Sequence, residues 1–289
     1  MEAFKRYVEI VEGKRKAKFI GADLEKLMER AWKLCNPCRL CEIRCGARRP
    51  EEIGYCRADF SISSEFLHFG EESLLIPSHT IFFTGCNFRC VFCQNWRISQ
   101  VFERGLRIEP ERMAKIIEAR GGKNVNWVGG EPTPNLPYVL EVIRELKKDG
   151  FSIAQIWNTN AYMSSESMEI LNRVIDLWLP DFKYGNNRCA LRLSAVPRYF
   201  DIVTRNLLHM KGDILIRHLV MPNHFECCTK PVLEWIAENL GDKVGVNVMD
   251  QYRPEYRAAR YEEISRPLSR QEFEKAMKLA HRLDLLVVD

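Results

Sequence analysis

The sequence predicts an α/β fold, a parallel (β/α) barrel that is complete or open, with a small cysteine-rich module in front of it. From residue 79 onward, apolar runs that suit buried strands alternate with amphipathic helical stretches. Polar, glycine-rich or titratable residues follow most of these runs, where parallel sheets place their chemistry. Five cysteines crowd into residues 35–56. We therefore expect a metal-binding module over residues 1–75 and a barrel over residues 76–289.

The composition is that of an ordinary globular protein. Of the 289 residues, 46% are hydrophobic and 28% are charged, and the net charge of +4 gives no signal for a nucleic-acid or membrane surface. No apolar run reaches the roughly eighteen residues that cross a bilayer, and no signal peptide opens the chain, so we expect a cytoplasmic protein. The eleven cysteines then indicate metal sites and buried thiols rather than a disulfide framework.

Residues 23–34 have the apolar spacing of an amphipathic helix, with Asp23 as its cap and Pro37 beyond its end. The stretch that follows, CNPCRLCEIRCGARRPEEIGYC, has turn residues between its cysteines and little apolar content. Such a loop folds around a metal because it has no core of its own. Both a zinc site and a second iron-sulfur cluster fit the spacing. We predict four ligands, with Cys35 spare: Cys38, Cys41, Cys45 and Cys56.

The next part of the chain offers weaker signals. Three arginines near the cysteines either offset thiolate charge or are simply solvated: Arg44, Arg48 and Arg49. The region 60–77 is predicted to be a connector. It contains HFGEE at 68–72, close enough in sequence to the first barrel strand to face the loop after it. His68 is more often a structural than a catalytic residue in such a place.

The barrel begins with HTIFFTGCNFRCVFCQNWRI, residues 79–98, where an aromatic and β-branched strand leads into a loop with Cys86, Cys90 and Cys93. Three soft thiolates so close together cannot all pair as disulfides, and they suit iron or zinc. Each iron of a four-iron cubane needs a ligand besides sulfide, so three thiolates leave one iron open. The alternatives are a zinc loop completed by a distant residue, or redox-inert loop cysteines.

Seven apolar runs are predicted to be parallel strands: 79–84, 125–129, 153–158, 176–181, 213–221, 243–249 and 284–288. Helices are predicted between most of them: 110–119, 137–148, 165–174, 230–239 and 269–282. Three further cysteines, none at cluster spacing, are predicted to be ordinary thiols: Cys189, Cys227 and Cys228.

Candidate binding residues stand at the ends of the second to fifth strands. The second ends in Gly-Gly-Glu at 129–131, where glycines allow close approach to the backbone and the glutamate can accept from an ammonium. The third ends in Asn158-Thr159-Asn160, whose side chains can bond ribose hydroxyls. Asp181 after the fourth can contact a carboxylate or hydroxyl, with an exposed ion pair as the alternative. His218 in the fifth is either functional or a satisfied core histidine.

From about residue 35 the chain resembles iron-sulfur proteins described as homologues of pyruvate formate-lyase activating enzymes, within the radical S-adenosylmethionine (SAM) superfamily. The resemblance lies in C-x3-C-x2-C within FFTGCNFRCVFCQNWRIS (82–99), in VGGEPTPNLP (128–137) and in RHLVMPNH (217–224). It implies a partial barrel of the radical SAM type and a [4Fe-4S] cluster on the catalytic cysteines: Cys86, Cys90 and Cys93. It also implies a SAM site. By similarity, Gly129, Gly130 and Glu131 hold the SAM amino group, and Asn158, Asp181 and His218 line the pocket.

The resemblance implies an enzyme that cleaves SAM reductively and uses the 5′-deoxyadenosyl radical to abstract hydrogen from an unidentified small molecule or nucleotide. It implies a low-potential electron donor such as ferredoxin or flavodoxin. One alternative is an activase that makes a glycyl radical on a partner protein, and another is a non-catalytic zinc or iron-sulfur module. Glycyl-radical activating enzymes place additional cluster cysteines after the C-x3-C-x2-C loop, whereas this chain carries them before it. Activase function therefore does not follow from a shared fold.

Overall fold

Eight strands form one sheet and lie in it in chain order, from the first edge to the last. The computed structural model describes residues 2–101, 103 and 105–288. The strands are β1 (Ile62–His68), β2 (Ser78–Phe83), β3 (Asn124–Gly129), β4 (Ala154–Thr159), β5 (Leu177–Pro180), β6 (Asp213–Leu219), β7 (Gly245–Met249) and β8 (Leu286–Val287). The α-helices are α1 (Lys5–Val11), α2 (Leu24–Cys35), α3 (Trp96–Gln100), α4 (Pro110–Arg120), α5 (Leu136–Lys148), α6 (Ser165–Leu171), α7 (Asn187–Ser194), α8 (Tyr199–His209), α9 (Lys230–Asn239) and α10 (Arg270–Arg282).

The strands β2 to β8 are parallel to one another, and this confirms the predicted α/β fold with its partial parallel barrel. All seven predicted strands are present, with ends that differ by a few residues from the predicted ones. Because the strands are parallel, the loops that follow β2, β3, β4 and β5 meet at one end of the barrel. This end carries the cysteine loop and the Gly-Gly-Glu turn.

The prediction of a connector over 60–77 was wrong in its first half, because residues 62–68 form β1. This strand pairs antiparallel with β2, so that His68 lies opposite Ser78. Its sequence ISSEFLH lies at one edge of the sheet, is exposed or half-buried except at Ile62, and lacks the apolar run of a buried strand. Two helices between β5 and β6, α7 and α8, were also not predicted. The division into modules at residue 75 stays a prediction, although β1 joins the sheet.

A layer of tryptophans fills the space between the sheet and its outer helices. Trp127, Trp157 and Trp178 are neighbours on β3, β4 and β5, and each is fully buried. Since side chains alternate across a strand, the intervening positions face the interior of the barrel, where Asn126 and Asn158 line a cavity. The tryptophan layer is therefore outside the sheet, and the barrel interior carries polar side chains together with apolar ones such as Phe82 and Leu219.

The N-terminal helix α2 packs against the outer helices of the barrel. Asp23 caps it as predicted, since its carboxylate accepts from the Lys26 backbone N–H at 3.2 Å. The Trp32 indole N–H donates to Glu141 on α5 at 3.0 Å, which fixes α2 to that helix. Among the described residues, none of the helices combines the length and apolar character needed to cross a membrane.

Candidate active site

The cysteine loop opens into a cavity of about 330 Å³ inside the barrel. Cys86, Cys90 and Cys93 all line this cavity, which we call the barrel cavity. The first two thiols are buried and the third is half-buried. Burial raises the pKa of Cys90 to about 12 and raises that of Cys86 as well. Free thiols here would therefore stay protonated, and a metal cation would be needed to hold them as thiolates.

Each of these three sulfurs has a polar neighbour. The Phe88 backbone N–H donates to Cys86 Sγ at 3.3 Å, and the Ser194 hydroxyl donates to Cys90 Sγ at 2.9 Å. Cys93 Sγ lies 3.0 Å from a further hydroxyl, that of Ser99. Hydrogen bonds to sulfur stabilise its anionic form. The loop is thus prepared for thiolate ligands.

The two glycines of the Gly-Gly-Glu turn allow β3 to end directly against the start of the cysteine loop. A Cβ on Gly129 would lie 2.2 Å from the Phe83 backbone nitrogen, and one on Gly130 would lie 2.0 Å from the Gly85 carbonyl oxygen. The turn is held there because the Gly130 N–H donates to the Phe83 carbonyl at 3.0 Å and the Glu131 N–H to the Gly85 carbonyl at 3.1 Å. Neither glycine tolerates a side chain.

Glu131 lines the barrel cavity, but its carboxylate is occupied by hydrogen bonds from the protein. One oxygen, Oε1, accepts from the Thr133 N–H at 3.2 Å and from the hydroxyls of Thr133 at 2.5 Å and Thr159 at 2.6 Å. The other accepts from the Asn160 N–H at 2.8 Å. The side chain is 1% exposed, and burial raises its pKa above the usual range. This geometry favours a structural role that joins the ends of β3 and β4, and the sequence interpretation, an acceptor for an ammonium, stays a prediction.

Two asparagines connect this turn to the cysteines: Asn160, which the sequence analysis named only as a partner for ribose hydroxyls, and Asn87, which it did not assign. The Asn160 side chain donates to Asn87 Oδ1 at 2.7 Å. Asn87 follows Cys86 directly and is fully buried. The signal that could have found them is the TGCN and NTN phrases at the ends of β2 and β4, where side-chain amides follow the strands.

The structure brings Asn158 and Asp181 to the barrel cavity, as predicted from their positions at strand ends. Asp181 forms an ion pair with Lys183 and lies 3.9 Å from the Arg217 guanidinium. Its ion-pair alternative is therefore realised, but inside the cavity and not on the exposed surface. A direct role for either residue in binding SAM stays a prediction.

Arg217 is the centre of a cluster of charged side chains in the cavity wall that the sequence analysis did not predict. Its guanidinium lies 3.4 Å from Glu72 and 3.7 Å from Glu71, in the connector between β1 and β2. The Asn247 amide on β7 also donates to Glu72, at 3.0 Å. The HFGEE phrase thus faces the cavity, with His68 in its wall, as its place before β2 suggested. Opposite charges make this end of the cavity strongly polar.

His218 does not line the barrel cavity. It is fully buried, with one ring nitrogen 2.7 Å from the Phe182 carbonyl oxygen and the other 3.0 Å from the Thr229 hydroxyl. Burial lowers its pKa to about 4, so the ring is neutral. Of the two interpretations of this histidine, the geometry favours the satisfied core histidine, and its predicted place in the SAM pocket is withdrawn.

The four predicted N-terminal ligands surround one small space of about 10 Å³ outside the barrel cavity: Cys38, Cys41, Cys45 and Cys56. Asn87 and Pro134 are among the other residues that line it, so the space lies beside the cysteine loop and the Gly-Gly-Glu turn. Its volume suits a single ion. However, thiolates on one zinc are about 3.8 Å apart. These four cysteines all belong to the described residues, and no three of their sulfurs lie within 4.8 Å of one another. The small volume favours a single zinc ion, whereas the wide spacing of the sulfurs favours an iron-sulfur cluster, so both alternatives stay open.

Arg49 is buried beside these cysteines with 1% of its surface exposed. Its guanidinium donates to the carbonyls of Pro134 at 2.6 Å and Ala58 at 2.9 Å. Burial acts to lower the pKa of Arg49, but the thiols of Cys56, Cys35 and Cys38 outweigh it and raise that pKa. Two other arginines pair instead with carboxylates at the surface: Arg44 with Glu42 and Glu166, and Arg48 with Glu52. Of the three, Arg49 is the one placed to offset thiolate charge.

Comparison with known proteins identifies relatives of this arrangement. The model of the radical SAM superfamily matches residues 80–236. The uncharacterized protein MJ0674 of Methanocaldococcus jannaschii is 49% identical over 272 residues, which cover 91% of this chain and 79% of that protein. The pyruvate formate-lyase-activating enzyme of Staphylococcus aureus (strain USA300) is 29% identical over 162 residues, 50% of this chain and 62% of the enzyme.

Solved structures share the fold. Methylornithine synthase (PylB) has 15% identity and a TM-score of 0.52, covering 97% of this chain and 77% of its own. SuiB of Streptococcus suis, bound to S-adenosylmethionine, has 18% identity and a TM-score of 0.51, covering 70% of this chain and 47% of SuiB. The match therefore spans less than half of SuiB. At such identities the similarity shows the fold alone.

Proposed function

The chain belongs to the radical SAM superfamily and is a radical SAM enzyme, and from this premise we propose how its own residues carry the reaction. Cys86, Cys90 and Cys93 hold a [4Fe-4S] cluster, SAM binds beside it, and the substrate is a small polar molecule or a nucleotide. The observation that carries the proposal is that these three thiols share one cavity with the polar residues after β3, β4 and β5. When bound, the cluster and SAM supply a 5′-deoxyadenosyl radical that abstracts hydrogen.

The residues fit these groups. Thiolates are the ligands that iron-sulfur clusters require, and the cavity wall, as far as the structure describes it, contributes three of them. A four-iron cluster held in this way keeps one position for SAM. The cavity also contains a buried acceptor, Asn126 Oδ1, for which the described residues supply no hydrogen-bond partner. An ammonium or hydroxyl group of a ligand would satisfy it.

SAM is best accommodated along the ends of β3 and β4. We assign the amino group to the backbone of Gly129 and Gly130, which lines the cavity, since the Glu131 carboxylate already accepts four hydrogen bonds from the protein. Asn158 offers its side-chain amide to the ribose hydroxyls. The protein's contribution is to orient these groups and to exclude water from them.

The charge of the cavity supports a polar substrate. Arg217 and Lys183 present cations to it, and Glu72 and Asp181 present anions. These groups pair with one another, but an apolar molecule against them would still remove their water without offering hydrogen bonds in return, which costs free energy. A substrate with hydroxyl, carboxylate or phosphate groups would avoid that cost. We therefore favour a small polar molecule or a nucleotide.

A second metal centre is part of the proposal, held by the four N-terminal cysteines: Cys38, Cys41, Cys45 and Cys56. Its support is Arg49, since a buried cation whose neighbours are thiols is expensive unless those thiols are anionic. None of the four lines the barrel cavity, which argues against a cap over the substrate. The Cys86 backbone N–H donates to the Cys56 carbonyl at 2.9 Å. A cluster at this place would be near enough to pass electrons to the cysteine loop.

Arg49 offers a direct test of this second centre. We expect Arg49→Met to lower the metal retained by the N-terminal cysteines, because it removes the cation that offsets their charge. Arg48→Met is the matched control, since Arg48 pairs with Glu52 at the surface at 2.6 Å. Equal metal content in the two variants, with each properly folded, would contradict a metal centre beside Arg49.

Similarity to the Staphylococcus aureus enzyme favours a second candidate function, activation of a glycyl-radical enzyme. The similar region covers 62% of that enzyme and half of this chain. Mixing the reduced protein with SAM and pyruvate formate-lyase would generate a glycyl-radical signal in electron paramagnetic resonance if this candidate is correct. Because the superfamily consists of enzymes, the non-catalytic alternative is not carried further.

The proposed function is tested by anaerobic reconstitution with iron and sulfide, followed by SAM and dithionite as low-potential reductant. The wild-type protein should form 5′-deoxyadenosine, measured by liquid chromatography and mass spectrometry. It should also bind about four irons and four sulfides at the barrel site. Ferredoxin or flavodoxin is the donor we propose in the cell.

Variants locate the activity. Cys86→Ala, Cys90→Ala and Cys93→Ala should each abolish 5′-deoxyadenosine formation, and the triple variant should lose about four irons. Whatever metal stays in the triple variant identifies the N-terminal centre as zinc or iron. Cys35→Ala is the control and should keep the activity, since Cys35 does not line the barrel cavity. Undiminished 5′-deoxyadenosine formation in any of the three single variants would refute the cluster assignment.

A further inference from the structure

Three cysteines that were predicted to be ordinary thiols come together in the folded chain. The Sγ atoms of Cys189, Cys227 and Cys228 all lie within 4.8 Å of one another. Cys189 and Cys228 are buried, and Cys227 is half-buried. Among the described residues, no other group of three potential metal ligands has its ligand atoms within this distance. The sequence showed no cluster spacing here because Cys189 lies in α7, after β5, whereas Cys227 and Cys228 follow β6.

His224 is the candidate fourth ligand beside these sulfurs, although neither of its ring nitrogens lies within 4.8 Å of all three. It is 6% exposed and hydrogen-bonds to Cys189. Its Nδ1 lies 2.9 Å from the Pro222 carbonyl oxygen, which can only accept, so Nδ1 carries the proton. The lone pair of the ring is then on Nε2, the arrangement that second-shell carbonyls impose on metal-bound histidines.

From this geometry we propose that Cys189, Cys227, Cys228 and His224 form a zinc site that is separate from the barrel cavity. Three thiolates and one imidazole are a closed tetrahedral set for Zn²⁺, which needs sulfurs about 3.8 Å apart around Zn–S bonds of about 2.3 Å. The three sulfurs already lie within 4.8 Å of one another, unlike the sulfurs of the N-terminal cysteines and of the cysteine loop. Binding releases three thiol protons to solvent and leaves no open position, so the site is structural.

The surrounding residues are arranged to support such a site. Cys227 and Cys228 belong to a π-helical turn, Phe225–Thr229, a conformation that often marks functional sites. A Cβ on Gly185 would lie 2.9 Å from the carbonyl oxygen of each of these cysteines, so glycine is needed for the two loops to meet. The Asn186 amide donates to Cys189 Sγ at 3.3 Å and to the Cys227 carbonyl at 2.6 Å, orienting both ligands.

The zinc would fix the helix that supports the cysteine loop. Cys189 lies in the first turn of α7, and Ser194 ends this helix. Ser194 donates to Cys90 Sγ, and its carbonyl accepts from the Arg89 N–H at 2.9 Å. The Leu193 carbonyl accepts in the same way from Val91, also at 2.9 Å. The proposed site therefore anchors one end of α7, and the other end holds the loop that carries the catalytic cysteines.

The decisive measurement needs no variant. Full-length protein purified anaerobically should contain zinc, and X-ray absorption at the zinc edge should show nitrogen at about 2.0 Å as well as sulfur at about 2.3 Å. A shell of sulfur alone would overturn the proposal, because it would place the zinc on the N-terminal cysteines. Absence of zinc from protein that has been incubated with Zn²⁺ would overturn it too. So would a disulfide among these three cysteines in the anaerobic protein, detected by mass spectrometry.

Variants separate this site from the N-terminal one. Cys189→Ser with Cys228→Ser should lose about one zinc per chain and keep the iron of the barrel cavity. The matched double variant Cys38→Ser with Cys41→Ser should keep this zinc. Zinc that is lost from the second pair and kept in the first would refute the assignment. His224→Gln leaves all the thiols in place and should bind zinc at least tenfold more weakly in competition with a chromophoric chelator.

Discussion

Replacing Glu131 by glutamine keeps the size of the side chain and removes one acceptor from the junction between β3 and β4. Both carboxylate oxygens face a backbone donor, the Thr133 N–H at 3.2 Å and the Asn160 N–H at 2.8 Å. The glutamine NH₂ group must replace one of these oxygens, so in either orientation two buried donors face each other. Each buried donor without an acceptor costs about 1–3 kcal/mol, and the free energy of unfolding should fall by roughly 2–6 kcal/mol.

The assay is thermal unfolding of the anaerobic protein, followed by circular dichroism, with and without SAM. A loss of this size lowers the midpoint by roughly 4–12 °C, at about 2 °C per kcal/mol for a chain of this length. The control is Glu141→Gln. Glu141 accepts from the Trp32 indole at 3.0 Å, and a glutamine oxygen can still do so. Its midpoint should change by about 2 °C or less.

The two roles of Glu131 predict different results. If its carboxylate joins the strand ends, the midpoint falls even when SAM is absent. If instead it binds the SAM amino group, as the sequence analysis predicted, the midpoint without SAM is unchanged and SAM affinity alone falls. The second result would refute the structural role, and the amino group would then be assigned to the carboxylate.

Two further predictions concern buried polar groups. Ser194→Ala removes the hydroxyl that donates to Cys90 and should lower the reduction potential of the cluster by about 40 mV, because the lost hydrogen bond is worth about 1 kcal/mol more in the reduced, more negative state. A redox titration followed by electron paramagnetic resonance measures this potential, with Ser167→Ala as the control. Equal potentials in the two variants would contradict the role of Ser194. Burial lowers the pKa of His218 to about 4 from an unfolded value of 6.5. Between these pH values the unfolded chain binds a proton at this histidine that the folded chain does not. The contribution of His218 to the free energy of unfolding is therefore fully present above pH 6.5 and is lost as the pH falls toward 4. His218→Gln should flatten this dependence in urea unfolding between pH 7 and 4, and an unchanged slope would show that the histidine does not cause it.

Local patterns account for the parts of the structure that the sequence predicted. An apolar strand followed by a ligand-rich loop can be recognised because both features are continuous in the chain, as in residues 79–98. The same holds for the Gly-Gly-Glu turn after β3 and for the alternation that predicted β2 to β8. The edge strand β1 was not predicted, since polar and apolar residues are mixed in ISSEFLH and give no apolar run.

The roles of individual side chains depended on contacts between distant parts of the chain. Glu131 looked available to a ligand until β4 brought Thr159 and Asn160 against its carboxylate. His218 looked equally suited to the cavity and to the core until its two partners were known.

The sequence by itself determined the fold class, the cysteine loop and the edge of the sheet at which chemistry occurs, because these depend on periodicity and short spacings. Only the tertiary structure decided which charges and thiols meet. It buried Arg49 among the N-terminal cysteines, placed Arg217 against Glu72, and gathered Cys189 with Cys227 and Cys228. Such contacts between distant residues depend on how strands and loops pack in three dimensions, and no local pattern in the chain predicts them.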